Sequence, residues 1–347
     1  MTYGFDMQRN PLIIFDMDGV LIDVTGSYRE VTRLTVMHYL RQVMGATIPE
    51  DSLSLSEVAS IKKSGGLNND WDLTDAILNS YLFSAFRNVD AHMRRQLVKA
   101  ARAGNDHAVL EEMIRIQQKN DSSQLENLLR EMRAPDLFAQ MNSAEEYSSP
   151  FLMNYGDVLS GNLTKRIFQE LYLGSDLFQQ IYGEKPMFYT GGGYIEQERL
   201  IPTLSQLDVL FRLFTLSIAT GRPGVEARYA LALFSIEHFF KTLVSEDDIV
   251  EAEKRCHKSL RKPHPFSLSL CMEQIGYTGN DCVYYIGDMP DDIIAAGRAQ
   301  IRSVGFVNRD TDESAGEKSE HRALLQSRGA CGVYSDFEGI ISFLKEQ

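Results

Sequence analysis

The chain has 347 residues, 44% hydrophobic and 24% charged, which suits two domains or one domain carrying a large insertion and excludes a disordered or fibrous polymer. A formal net charge of −13, from 48 acidic against 35 basic residues, argues against nucleic acid or an anionic membrane as partner, since both are held by clustered cations. A local cationic pocket for an anionic small molecule remains compatible with that envelope.

Residues 1–10 lack a basic start followed by an apolar run, and no apolar stretch approaches bilayer-spanning length. Cys256, Cys271, Cys282 and Cys331 show no paired metal-ligand spacing. The expectation is a cytoplasmic protein with reduced, partly buried thiols.

The first element is the continuous apolar run 12–15, Leu12-Ile13-Ile14-Phe15, which suits a strand buried on both faces and ends in Asp16-Met17-Asp18-Gly19-Val20. Two carboxylates two residues apart at a strand end can point the same way. Asp16 is placed to attack phosphorus, Asp18 to give and take a proton, and Gly19 to make the turn. The competing reading of this segment is an acidic turn that caps a helix.

Nearly 200 residues separate this run from the next strand candidate, and most of them read as helix. Val31, Leu34, Leu40 and Val43 share one helical face; Leu55, Val58 and Ile61 share another. From about residue 87 to 133 the composition turns polar with mixed charge, while Val109, Met113, Ile116, Leu125, Leu128 and Met132 keep a helical period. Solvated helices explain that stretch better than a partner surface. Gly191-Gly192-Gly193-Tyr194, near the end of the interval, suits a hinge or a plain loop.

The run 214–219 ends in Thr220-Gly221-Arg222-Pro223. A hydroxyl and free backbone N–H groups between a strand and a helix make an anion site, and equally an ordinary helix cap. Runs 239–244, 282–286, 302–307 and 332–334 are further strand candidates, with helical patterns at 225–234 and 266–275. Lys262-Pro263-His264-Pro265 holds a lysine on a stiff, extended segment, where it can neutralise phosphate or steady a carboxylate. Gly287-Asp288-Met289-Pro290-Asp291-Asp292 follows a buried run. Asp16, the Asp18 carbonyl and Asp288 offer hard oxygen ligands for Mg²⁺, with Asp292 one turn on to orient metal waters or pair with Lys262.

These four motifs, in this order and at strand ends, resemble the haloacid dehalogenase superfamily, in particular its subfamily with a helical cap inserted after the first strand. The resemblance implies an α/β fold, a Rossmann-like mostly parallel sheet with a large inserted α-helical cap. Residues 1–24 and 205–347 would form the core and 25–204 the cap, with extra helical sequence at about 87–149. It implies a phosphoaspartate at Asp16, acid–base work by Asp18, phosphate contacts from Thr220, Gly221 and Lys262, and Mg²⁺ at Asp16, Asp18 and Asp288.

In capped relatives the loop corresponding to 62–71 helps select substrate, which points to Lys62 or Lys63, Asn68 and Asn69 as groups facing the leaving group, and Arg222 is a further candidate for substrate selection. A helix C-cap at Gly65 followed by an N-cap at Asn69 or Asp70 fits that loop equally well. The expected activity is Mg²⁺-dependent hydrolysis of a small phosphorylated metabolite. A phosphomutase is the alternative, ahead of a phosphonate or halide hydrolase and of a non-catalytic scaffold.

Overall fold

The computed structural model describes residues 10–46, 48–63, 67, 69–85, 92, 95, 96, 99, 133–143, 156–277, 282–311 and 314–347. They divide into two compact units: the chain up to Val24 together with Glu198–Gln347, and Thr25–Gln197.

In the first unit every residue of β1 (Leu12–Phe15) is fully buried. Side chains alternate along a strand, so a strand apolar at every position needs a packed layer on each face. Ile13 and Phe15 join a cluster with Leu207, Leu210, Phe337 and Ile340. Leu12 and Ile14 join another with Leu268, Cys271 and Ala295. After a tight turn the chain forms β2 (Ile22–Asp23) and enters the second unit.

That unit is helical among its described residues: α1 (Glu30–His38), α2 (Leu55–Lys63), α3 (Asp70–Ala85), α4 (Ala134–Ser143) and α5 (Leu163–Tyr182). Val31, Leu40, Val58 and Ile61 are buried as their period predicts. Leu34 and Val43 are only half-buried, and Leu55 is exposed. A π-helical turn, Tyr39–Val43, follows α1 and widens the helix, so Tyr39 and Leu40 turn inward in place of Val43. The helical period at 109–132, Ser64 to Gly66 and Asn68 lie outside the described residues.

The unit is tied internally by Glu170. Its buried carboxylate accepts the N–H groups of Met187, Phe188 and Tyr189 at 2.6–3.1 Å and pairs with Arg166 at 2.5 Å. Gly191 to Gly193 have a packing duty here, beyond the hinge or loop expected from sequence. α5 kinks at Gly174 (φ +73°), and a Cβ on Gly193 would lie 2.3 Å from the Leu173 carbonyl oxygen. Glycine lets the two backbones touch.

The chain returns to the first unit at Glu198 and forms β3 (Arg199–Leu200), antiparallel to β2. There follow α6 (Leu204–Leu213), β4 (Thr215–Ala219), α7 (Gly224–Leu233), β5 (Phe240–Val244), α8 (Glu246–Cys256), α9 (Phe266–Ile275), β6 (Val283–Gly287), α10 (Pro290–Arg298), β7 (Arg302–Phe306), α11 (Ala315–Ser327), β8 (Gly332–Tyr334) and α12 (Phe337–Lys345). The six-stranded sheet has the order β5-β4-β1-β6-β7-β8, and every pair in it is parallel.

Succession runs outward through β4 and β5, then resumes on the other side of β1 with β6. The order reverses at β1. In open α/β sheets such a switch point opens a crevice beyond the carboxyl ends of the strands. Phe15 is in register with both Ile218 and Ile286, so Asp16, Thr220 and Asp288 leave their strands at neighbouring heights. Of the cysteines only Cys271 is buried. Cys256, Cys282 and Cys331 are exposed, against the expectation of partial burial, because they lie at the ends of helices and strands where the sheet no longer covers them.

Candidate active site

Asp16 is the first residue beyond β1, and its N–H donates to the Ile286 carbonyl at 2.8 Å, which carries the sheet ladder one step past the strand. The turn that follows needs Gly19: its φ is +80°, and a Cβ there would lie 2.3 Å from Asp288 Oδ2. The Asp-x-Asp-Gly loop therefore runs directly against the Asp288 carboxylate.

Lys262 reaches into the same place from the loop before α9. Its Nζ lies 2.9 Å from Asp16 Oδ1, 3.0 Å from Asp292 Oδ1 and 2.5 Å from the Tyr285 hydroxyl, and donates to the Ala219 carbonyl at 3.2 Å. One ammonium thus joins the ends of β1 and β4, the middle of β6 and the first turn of α10. The supporting loop is pinned by Arg298 donating to the Pro263 carbonyl at 2.9 Å and by the Arg261–Glu246 ion pair. His264 Nδ1 accepts the Phe266 N–H at 3.2 Å, which gives the imidazole a structural task at the start of α9.

Burial dominates the electrostatics. It raises the Asp16 carboxyl to about 7, against the opposing pull of the Lys262 ammonium and with some help from Asp292. Burial alone would lower the Lys262 pKa, but Asp16 and Asp292 outweigh it and hold the ammonium above its ordinary range. The Tyr285 phenol is pushed well up by burial and by the same two carboxylates, so it stays a donor.

One carboxylate oxygen from each of Asp16, Asp288 and Asp292 lies within 4.8 Å of the other two. Asp292 is already committed: Oδ1 takes Lys262 and Tyr285, and Oδ2 accepts the Met289 N–H at 2.9 Å. Asp16 and Asp288 are therefore the pair suited to bind a hard cation directly, and Asp292 the group that steadies them. An all-oxygen donor set with few carboxylates fits Mg²⁺, which keeps much of its water.

On the β4 side Thr220 is buried, and its Oγ1 accepts the Arg222 N–H at 3.1 Å. Gly221 is exposed, with nothing within 4 Å of where a Cβ would stand, so the backbone there is open to a ligand. Arg222, a candidate for substrate selection, is buried. Its side chain is fully covered and ion-pairs with both Asp18 and Glu198. Lys62 pairs with Asp70 at 2.8 Å, and Asn69 Oδ1 caps α3 by accepting the Trp71 and Asp72 N–H groups. Those two residues follow the helix-boundary reading. Asn68 and the Lys63 side chain lie outside the described residues.

Three residues of the site belong to none of the four sequence motifs. Tyr285 lies inside an apolar strand, where a buried phenol in need of a partner is the signal. Glu198 lies in a polar stretch that reads as surface. His321, from α11, bonds the Asp288 carbonyl at 2.7 Å through Nε2 and had no local signal at all.

The model of the haloacid dehalogenase-like hydrolase family matches residues 202–306. A phosphoglycolate phosphatase of Colwellia psychrerythraea is 34% identical over 94 residues, 27% of this chain and 37% of the relative. One from Haemophilus influenzae is 28% identical over 126 residues, 36% of this chain and 52% of the relative. The chain thus spans only about a third to a half of the length of the curated relatives it matches.

Among solved structures, a structural-genomics target superposes with a TM-score of 0.61 at 19% identity, covering 97% of this chain and 99% of its own. A phosphatase from Thermococcus thioreducens gives 0.50 at 19% identity, covering 90% and 98%. Those likenesses establish the fold. The six-stranded parallel sheet thus has the fold of these solved structures, and residues 202–306 within it are similar to the haloacid dehalogenase-like hydrolase family.

Proposed function

We propose that the chain is a Mg²⁺-dependent phosphatase that hydrolyses a small phosphate monoester through a phosphoaspartate on Asp16. The observation that carries this reading is the position of Lys262 Nζ, 2.9 Å from Asp16 Oδ1, with Asp288 on the same cluster. A carboxylate held by one cation and flanked by a second carboxylate is arranged to meet a phosphoryl group and a metal together. The phosphatase names of the partly matching relatives point the same way.

Lys262, the Thr220 hydroxyl and the open backbone at Gly221 hold the phosphoryl oxygens, with Asp16 aligned behind phosphorus. An Asp16 oxygen bonds to phosphorus as the bond to the leaving oxygen breaks, and Asp18 delivers the proton that the leaving oxygen takes up. Asp18 then removes a proton from water, the water oxygen bonds to phosphorus, and the Asp16–phosphorus bond breaks to release phosphate. Bound Mg²⁺, held by Asp16, Asp288 and the Asp18 carbonyl, supplies charge neutralisation for the phosphoryl oxygens.

The test is phosphate release from a panel of phosphorylated metabolites that includes short phosphorylated hydroxy acids, with Mg²⁺ or EDTA, for wild type and Asp16→Asn. Metal-dependent release that disappears in Asp16→Asn is expected. Release that survives the substitution would remove the nucleophile. Turnover that appears only as isomerisation with a bisphosphate activator would replace hydrolysis by a mutase reaction on the same residues.

A further inference from the structure

Arg222 is the largest fully buried side chain among the described residues, and it is an ion in the middle of a carboxylate pair. Its Nη1 donates to Glu198 Oε2 at 2.9 Å and its Nη2 to Glu198 Oε1 at 3.1 Å, a fork against a fork. The Glu198 side chain is fully buried as well. The same Nη2 also donates to Asp18 Oδ1, and Asp18, unlike its partners, is 30% exposed. The backbone around the triad is equally fixed. Thr220 Oγ1 accepts the Arg222 N–H, and the Arg222 carbonyl accepts the Glu246 N–H at 3.0 Å. Glu198 is held by its position immediately before β3, where Arg199 pairs with Asp23 and Ile201 donates to the Leu21 carbonyl at 2.9 Å.

A buried guanidinium is costly and needs its charge met, so a structure that only wanted stability would do as well with apolar groups in this space. A bidentate pair instead fixes a plane and an angle. Glu198 sets the plane of the guanidinium, and the guanidinium then takes one named oxygen of Asp18. The Asp18 side chain, held at Oδ1, stays 30% exposed, and its task is to hand over a proton.

We infer that Glu198 and Arg222 form a buried clamp that positions the Asp18 carboxyl for proton transfer to the leaving oxygen, which makes both of them positioning residues for the reaction. The inference rests on the phosphatase reading above, with Asp18 as the acid. It assigns Arg222 to positioning in place of substrate selection, the role expected of it from sequence.

A positioning role for an acid depends on how badly the leaving group needs the proton, and a role in folding or phosphate binding does not. The experiment therefore compares kcat/KM for phenyl phosphate and 2,4-dinitrophenyl phosphate with saturating Mg²⁺. The proteins are the full chain as wild type, Asp16→Asn, Asp18→Asn, Arg222→Lys, Arg222→Gln and Glu198→Gln. Dinitrophenolate leaves without help, and kcat/KM reports events only through its departure.

The expected result is a loss of about 10²-fold on phenyl phosphate in Arg222→Gln, the lower end of what positioned acid–base help supplies. Arg222→Lys and Glu198→Gln should fall between it and wild type, and all three should lose less than about threefold on the dinitrophenyl ester, in the pattern of Asp18→Asn. Equal losses on both esters would overturn the clamp, as would no loss on either. Loss of the native near-ultraviolet dichroism in all three variants would assign the cluster to folding and also overturn it. Asp16→Asn keeps the two ideas apart: turnover that survives there refutes the phosphatase reading itself. A dead Asp16→Asn alongside uniform losses at Arg222 and Glu198 refutes only the clamp.

Discussion

Lys262 and Asp16, 246 positions apart in sequence, stand with Nζ and Oδ1 2.9 Å from each other at the switch point of the sheet. The pair is nearly covered, and the same ammonium serves Asp292 at 3.0 Å and the Tyr285 hydroxyl at 2.5 Å. So many contacts on one charge make the site sensitive to single substitutions.

Lys262→Met should abolish most turnover, because it removes the cation for the phosphoryl oxygens and leaves Asp16 and Asp292 facing each other. Losing one preorganised charge of this kind costs about 10²–10³ in kcat. Lys262→Arg should not restore it, since the planar fork cannot meet Asp16, Asp292, Tyr285 and the Ala219 carbonyl from one point. Steady-state rates on the best substrate of the panel decide this, and near-wild-type activity in Lys262→Arg would show that charge alone suffices.

Asp292→Asn should weaken Mg²⁺ binding without abolishing it. Asp292 holds Lys262, Tyr285 and the Met289 N–H, and through them the carboxylates beside it. Removing an orienting partner of this type typically costs about 10–100-fold in metal affinity. Calorimetric titration with Mg²⁺ reads the change independently of activity. In wild type, Mg²⁺ at 100 times its dissociation constant should stabilise the fold by about 2.7 kcal/mol, and EDTA should remove that gain. An unchanged melting temperature in both conditions would count against a metal site here.

Glu246 should make stability pH-dependent. Burial raises its carboxyl to about 7, even with Arg261 beside it pulling the other way. The folded chain therefore holds this proton over a range where the unfolded chain has released it, so the contribution is largest at low pH. It falls as pH rises from about 4.5 to about 7 and is fully lost above that. Glu246→Gln should flatten this slope by ~1–3 kcal/mol between about pH 5 and pH 8 in urea denaturation, after allowance for the Arg261 partner. A slope equal to that of wild type would place the burial penalty elsewhere.

The strands and their polar ends could be read from the chain alone, because each signal is local. A run such as Leu12-Ile13-Ile14-Phe15 is apolar at successive positions only where both faces are covered, and the residue after it meets the open end of the sheet. That logic is enough to put Asp16, Thr220 and Asp288 at strand ends, and to expect the parallel α/β architecture around them.

The partners of those residues could not be read in that way. Lys262 in a proline-flanked loop and Arg222 in a helix-cap motif read the same whether they face solvent or a buried carboxylate. Arg222 meets Asp18 across 204 positions and Glu198 across 24, and no periodicity connects them. Lys62 and Asn69 show the reverse case: functional-looking types at a loop that the structure uses to pair with Asp70 and to cap α3. Composition and hydrophobic period determined which segments become strands and which residues stand at their ends. Only tertiary packing decided which charges are stripped of water and therefore must find each other, because desolvation depends on what the whole chain covers.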